Sequence, residues 1–431
     1  MKPDNPAKIL IVNVHSSENA GDYALLLQTI SYLQQAFGNV AIKVLANWPN
    51  EPALRESGFE VIPSPWWTIK VWDKTRRPRR QALSLCAGLF YLVLFKLDFL
   101  RLIRKIIPEN WRKIFQAYLE TDLVVAVSGN QLFSSGRHAW PLPAIGLSIY
   151  LALTFRKKTL VFPQSIGPFA TRSEERLVRY LYDRVTKLYI RDATSLELAR
   201  TLKIEKSKPS FMYDLAFTFP PGSPSSARSI LNEFGYQETG RNIGITVISN
   251  MPSYLSPQKM NNYYLSLAGM ISRLVDTGNF DVTMFCQVSG PTEDEDDRRG
   301  IQKVLDQLSS DVCEHVHVVN KSLTPFELKA CYGLMDFFIA SRLHSGIFSM
   351  AMGVPTLFIG YLHKTEGMLK LMDMEKYFID LSDVTEEALL KKTDQMWQDR
   401  AMIQKQIQAE MQTIEKTLGK FPREVEEIFH G

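Results

Sequence analysis

Short apolar runs alternate with amphipathic stretches through most of this chain, stop at a segment rich in proline and serine, and then start again. No other feature constrains the fold as much. A strand-length apolar run followed by a helix, repeated many times, builds a parallel sheet covered on both faces by helices. In the first half, strands are predicted at Lys8–Val14, Val40–Leu45, Leu123–Val127, Thr159–Phe162 and Leu188–Ile190. Helices are predicted at Asp22–Phe37, Ile145–Phe155, Ser173–Val185 and Thr194–Leu202, with two more over 81–119. The PPGSPSS run within Phe219–Arg228 reads as a linker. Beyond it, strands at Ile243–Ile248, Val282–Cys286, His315–Val319, Phe337–Ala340 and Thr356–Ile359 alternate with helices near 258–276, 298–309, 325–334, 345–352 and 365–373. A helix-rich tail without recognisable chemistry follows from 385. The expected architecture is α/β: two doubly wound Rossmann-like domains, 1–225 and 226–431, facing one another across a cleft.

Composition narrows the function. With 45% hydrophobic and 22% charged residues the chain reads as a soluble globular protein, and a net charge of +4 is too mild for a general nucleic-acid binder. The cysteines, Cys86, Cys286, Cys313 and Cys331, form no CxxC pair, so they suggest neither a disulfide framework nor a zinc site. The first apolar run, Ile9–Val12 and its flank, has the length of a strand and not of a signal peptide's apolar core. The expected location is therefore cytoplasmic, or the inner face of the membrane if the next segment binds lipid.

Trp66, Trp67 and Trp72 lead into Lys74, Arg76, Arg77, Arg79 and Arg80, and then into the apolar run SLCAGLFYLVLF ended by Lys96. The run is too short to span a bilayer, which takes about 20 residues. Aromatic and basic flanks fit a helix lying in the membrane interface, so residues 66–96, within a first-domain segment 66–107, give peripheral membrane contact on one reading. On the other reading they form a core helix preceded by a solvated basic loop.

The residues with chemistry lie where the predicted strands end. Ser341–Lys364 reads SRLHSGIFSMAMGVPTLFIGYLHK, which puts Arg342 and His344 after one strand, and Tyr361, His363 and Lys364 after the next. In open parallel sheets, ligands bind in this crevice. Two cations and up to two imidazoles suit a small, strongly anionic substrate. In the first half, Asn19, Gly21 and Asp22 precede a helix, where glycine allows close backbone approach and Asp22 could cap or bind sugar hydroxyls. Gly129 and Asn130 follow a strand, and His138 lies in a downstream loop. Gln164 and Ser165 sit between Pro163 and Gly167 in a rigid turn, and Arg191-Asp192 ends the next strand. The acidic run Glu293–Asp297 lacks the spacing of a calcium loop and reads as solvated helix-start charge. No metal-ligand set is apparent.

Taken together, Asn19-Ala-Gly-Asp22, Gln164-Ser-Ile-Gly-Pro-Phe169, Arg191-Asp192, Ser341-Arg-Leu-His344, Gly353-Val-Pro355 and His363-Lys364 resemble the polysaccharide pyruvyl transferase family. The sequence departs from that family's pattern at Ser128-Gly129-Asn130, which has fewer glycines, and at 66–96. The resemblance implies a GT-B-like fold and transfer of the pyruvyl group of phosphoenolpyruvate onto two hydroxyls of a sugar, as a cyclic ketal. The sugar would belong to a cell-surface polysaccharide or its lipid-linked precursor. Arg191, Arg342 and Lys364, with His363, would hold the donor, and His344 would move protons. Asn19, Gly21, Asp22, Gly129, Asn130, His138, Gln164 and Ser165 would face the acceptor, and no metal or cofactor is needed. Two competing readings are a GT-B glycosyltransferase or related nucleotide-sugar enzyme using the same cleft, and a scaffold that has lost the reaction.

Overall fold

Two parallel sheets organise the computed structural model, which describes residues 6–71, 78–97, 103–134, 141–238, 240–249, 255–278 and 280–431. Trp72, Lys74, Arg76, Arg77 and His138 lie outside the described residues. The first sheet contains β1 (Ala7–Val14), β2 (Val40–Ala46), β3 (Glu60–Pro63), β4 (Leu123–Ala126), β5 (Lys158–Gln164), β6 (Lys187–Ile190) and β7 (Ser210–Phe211), in the order β3-β2-β1-β4-β5-β6-β7. The second contains β8 (Asn242–Thr246), β9 (Asp281–Phe285), β10 (Val316–Val319), β11 (Phe337–Ala340), β12 (Thr356–Gly360) and β13 (Phe378–Asp380), in the order β10-β9-β8-β11-β12-β13.

Every strand of β4, β8, β11 and β12 is buried along its whole length, as helices on both faces of a sheet require. The order reverses between β1 and β4 in one sheet and between β8 and β11 in the other. Ligand crevices open at such switch points, outside the carboxyl ends of the strands. Helix starts are fixed by side chains. Asn19 caps Ala20–Phe37, and Thr171 with Glu174 and Thr324 with Glu327 form capping boxes.

The expected linker is half helix. Ser223 caps Pro224–Glu233 and Pro224 takes its first position, so residues that look like turn formers here start a helix. The chain passes between sheets just before, and Phe219 is buried in the core there. The last of the three tail helices, Phe421–His430, returns to the first sheet. Phe421 meets Tyr32, Phe162 and Tyr189 at ring distances of 5.8, 4.9 and 5.0 Å, and the Tyr189 hydroxyl donates to Glu424 at 2.8 Å.

Candidate active site

Between the two switch points lies a cavity of about 330 Å³, walled by both domains. Loop contacts bring the walls together: the Ala20 amide donates to the Gln287 carbonyl at 3.2 Å, and Ser289 to the Glu18 carbonyl at 2.9 Å. Of the expected residues, Asn19, Asp22, Asn130, Arg191, Arg342, His344 and Lys364 line it.

Arg191 leaves β6 fully buried. Its guanidinium pairs with Asp214 through Nη1 and donates from Nε to Ser165 Oγ at 3.0 Å. Asp214 is set by the turn it caps, accepting from the Ala216 amide at 2.8 Å, and Lys329 supports that turn from below by donating to the Phe217 and Phe219 carbonyls at 2.9 and 2.5 Å. The ion pair of Arg191 is thus an interior one.

Arg342 follows β11 and pairs with buried Asp297, with Nε at 3.1 Å and Nη2 at 2.5 Å from Oδ1. Burial pushes the Asp297 carboxyl up to about 6, against the pull of Arg342. The acidic run is solvated helix-start charge, as expected, only in part: Glu293 and Asp294 are exposed and Asp296 caps the helix Asp297–Leu305, whereas Asp297 is buried. Asp297 orients an arginine, and Glu295 lines the cavity. Among the described residues, no hydrogen bond engages Nη2 of Arg191 or Nη1 of Arg342. Guanidinium donors thus remain for a ligand.

His344 occupies the first turn of Leu343–Ala351, and among the described residues its Nε2 has no hydrogen-bond partner, although Asp214 Oδ2 is 3.8 Å away. Burial lowers its pKa to about 4, opposed by Asp214 and reinforced by Arg191. The ring lies against the helix that starts at Ala20: a Cβ at Gly21 would fall 2.1 Å from Nδ1. Gly21 is needed there for close approach, and it is not part of the cavity lining. Lys364, at the start of His363–Lys370, makes no ion pair among the described residues. Burial, then Arg191 and Arg342, lower it to about 8.

Other expected residues shape the walls from behind. Gln164 is buried and bridges the Val127 carbonyl and the Gln131 amide. Ser165 holds Arg191 and donates its amide to the Gly129 carbonyl at 2.8 Å. Gly129 takes a φ of 148° beside Gln164. His363 also lies off the cavity, its pKa lowered by burial and acted on by Asp192 and Lys364.

Sequence reasoning missed His15. Asn13 takes a left-handed φ of 64° where the β1–β2 register slips, and two residues on, His15 lines the cavity with Nε2 3.8 Å from Glu295 Oε2 of the other domain. Burial opposes its charge, yet Glu295 and Asp22 raise its pKa overall, and His15 in turn holds Glu295 below the usual range against burial. The strand-end rule that found Arg342 applies equally at the end of β1. Asp214 and Asp297 carried no such signal.

The sequence model of the family described as polysaccharide pyruvyl transferase matches residues 19–363, which contain most of the cavity lining but neither His15 nor Lys364. The chain belongs to that family. Membership makes the enzyme a pyruvyltransferase of polysaccharide synthesis by class, with a polysaccharide acceptor. The amylovoran biosynthesis protein AmsJ of Erwinia amylovora is 21% identical to this transferase over 411 residues, 93% of this chain and 94% of that one. Among solved structures, a glycosyltransferase from Rickettsia africae matches 99% of this chain and 98% of its own, at TM-score 0.56 and 14% identity. The UDP-GlcNAc 2-epimerase of Methanocaldococcus jannaschii matches 90% of this chain and 92% of its own, at 0.55 and 11%. At these identities the likeness shows the fold, which is the expected GT-B-like pair of Rossmann-like domains.

Proposed function

We propose that the enzyme transfers the pyruvyl group of phosphoenolpyruvate onto two hydroxyls of one sugar in a polysaccharide or its lipid-linked precursor, forming a cyclic ketal and releasing phosphate. The observation that carries this reading is the convergence of Arg191, Arg342 and Lys364, from both domains, on a cavity that also holds the imidazole of His344, whose Nε2 makes no hydrogen bond among the described residues. A carboxylate and a phosphate on one small molecule call for at least two cations, and arginine forks bind such oxygens bidentately. Asp214 and Asp297 fix the two guanidinium planes before the donor arrives, which removes ordering cost from binding.

In the reaction, a proton adds to the methylene carbon, a sugar oxygen bonds to C2, the C2–O bond to phosphate breaks, and the second hydroxyl closes the ring. The two hydroxyl protons end on the new methyl group and on phosphate. A neutral His344 is suited to accept a hydroxyl proton, and a protonated His15 to supply one to carbon. Neighbouring groups whose environments push their pKa values apart divide acid from base in this way.

Isothermal titration with phosphoenolpyruvate, with UDP-N-acetylglucosamine as comparator, tests the reading. Phosphoenolpyruvate should bind, and Arg342→Ala should weaken it by about 1.5–3 kcal/mol. His344→Ala should keep most of the binding and lose about 10²–10⁴-fold in turnover. Binding of the nucleotide sugar alone would move the protein to the glycosyltransferase reading.

A further inference from the structure

The helix Pro78–Leu97 belongs to no part of the cleft, and its two faces differ. One face is held by the first domain. Leu92 and Phe95 are buried, Gly88 lies so close to Trp111 that a Cβ would fall 2.4 Å from the ring, and Lys96 Nζ donates to the Thr154 carbonyl at 2.8 Å. The other face presents Leu83, Phe90, Val93 and Leu97 at 69, 59, 53 and 68% exposure. Their spacing of three, four and seven residues puts them on one stripe of the helix. Most of the helix is exposed or half-buried, so this is not the core helix that one reading of the sequence expects. A soluble monomer rarely leaves such a stripe uncovered without a partner for it.

Charge says which partner. Residues 70–105 contain ten lysines and arginines against two aspartates, whereas the whole chain is only +4, so the rest of the molecule is net acidic. Within Pro78–Leu97 there is no acidic residue, and Arg79 and Arg80 are exposed at its start. Two copies meeting through this stripe would bring like charges together with no carboxylate on the helix to offset them. An anionic lipid surface offers hydrocarbon for the stripe and headgroups for the cations. Crossing the bilayer would instead strip Leu92, Phe95 and Lys96 from their partners in the domain.

We propose that the exposed stripe of Pro78–Leu97 is a membrane-docking face, which lies in the interface of an anionic bilayer with Arg79 and Arg80 on the headgroups. The helix is tied to the cleft. Gln81 Nε2 donates to the carbonyls of Lys70 and Val71 at 3.3 and 3.4 Å, just past the short helix Pro65–Ile69 whose Trp66 lines the cavity. The docked face and the cavity wall therefore share one segment, an arrangement suited to an acceptor presented at the membrane. The docking itself is independent of which donor the cleft binds.

Flotation of the full chain with vesicles tests it. The protein should float with phosphatidylcholine vesicles in which phosphatidylglycerol replaces half the lipid, not with phosphatidylcholine alone, and raised salt should reduce binding. The double variant Phe90→Asp/Val93→Asp should lower the floated fraction by about tenfold or more while keeping the wild-type melting temperature. If that variant melts early, Arg79→Glu/Arg80→Glu, confined to exposed side chains, should show the same loss. No flotation of wild type with the anionic vesicles, or equal flotation of the variants, overturns the proposal. So does a dimer by light scattering that Phe90→Asp/Val93→Asp dissociates, since a second copy would then own the face.

Discussion

Lys364 holds its charge less firmly than any ordinary lysine, because burial and two neighbouring arginines bring its pKa down to about 8. An anion arriving in the cavity favours the charged form and would be bound more tightly while the ammonium persists. As pH rises through 8 the ammonium is lost, so donor affinity should fall there and not near the usual lysine value. Lys364→Arg keeps a cation at every accessible pH. Titrations of phosphoenolpyruvate from neutral to alkaline pH should therefore show the decline in wild type and a nearly flat profile in the variant; parallel declines would assign the effect elsewhere. The cations themselves were legible in the sequence, because Arg191, Arg342 and Lys364 follow strand-length apolar runs. Their carboxylate partners were not. Asp297 sits in an acidic run whose pattern is that of solvent-facing charge, and only the sheet order, with β8 between β9 and β11, brings the segment after β9 to zero exposure beside Arg342.

At the scale of elements, the helix Ala20–Phe37 serves the site by what its first turn lacks. Gly21 leaves room for the His344 ring, whose Cγ and Cβ would lie 2.4 and 2.6 Å from any Cβ placed there. Alanine is the better helix former by about 1 kcal/mol, so Gly21→Ala should alter overall stability little. It must displace His344, and turnover should drop by about 10²-fold. Turnover within about threefold of wild type, beside an unchanged melting temperature, would show that the ring has room to move without consequence. The sequence displayed this glycine as a ligand-facing residue; its actual neighbour comes from 323 positions along the chain, which no local pattern reports. The same limit explains the missed strands. Glu60–Pro63, Ser210–Phe211 and Phe378–Asp380 are two to four residues long, too short to show a period, and exist because a neighbouring strand supplies their partners.

Over the whole molecule, the restart of the strand–helix alternation made two sheets legible, but not how they are tied together. The tail's amphipathic pattern says that its helices cover something and leaves open what. In the fold, the final helix covers the sheet in which the chain began, with Phe421 at zero exposure among Tyr32, Phe162 and Tyr189. The second half of the chain thus closes the core of the first. Phe421→Ala should cost about 3–5 kcal/mol, the range for removing a buried aromatic ring. Because the loss falls where the last helix meets the first sheet, urea unfolding should change from one transition to two, the earlier reporting Trp111 of the first domain. A loss under about 1 kcal/mol with one transition retained would mean that the last helix merely rests on the sheet.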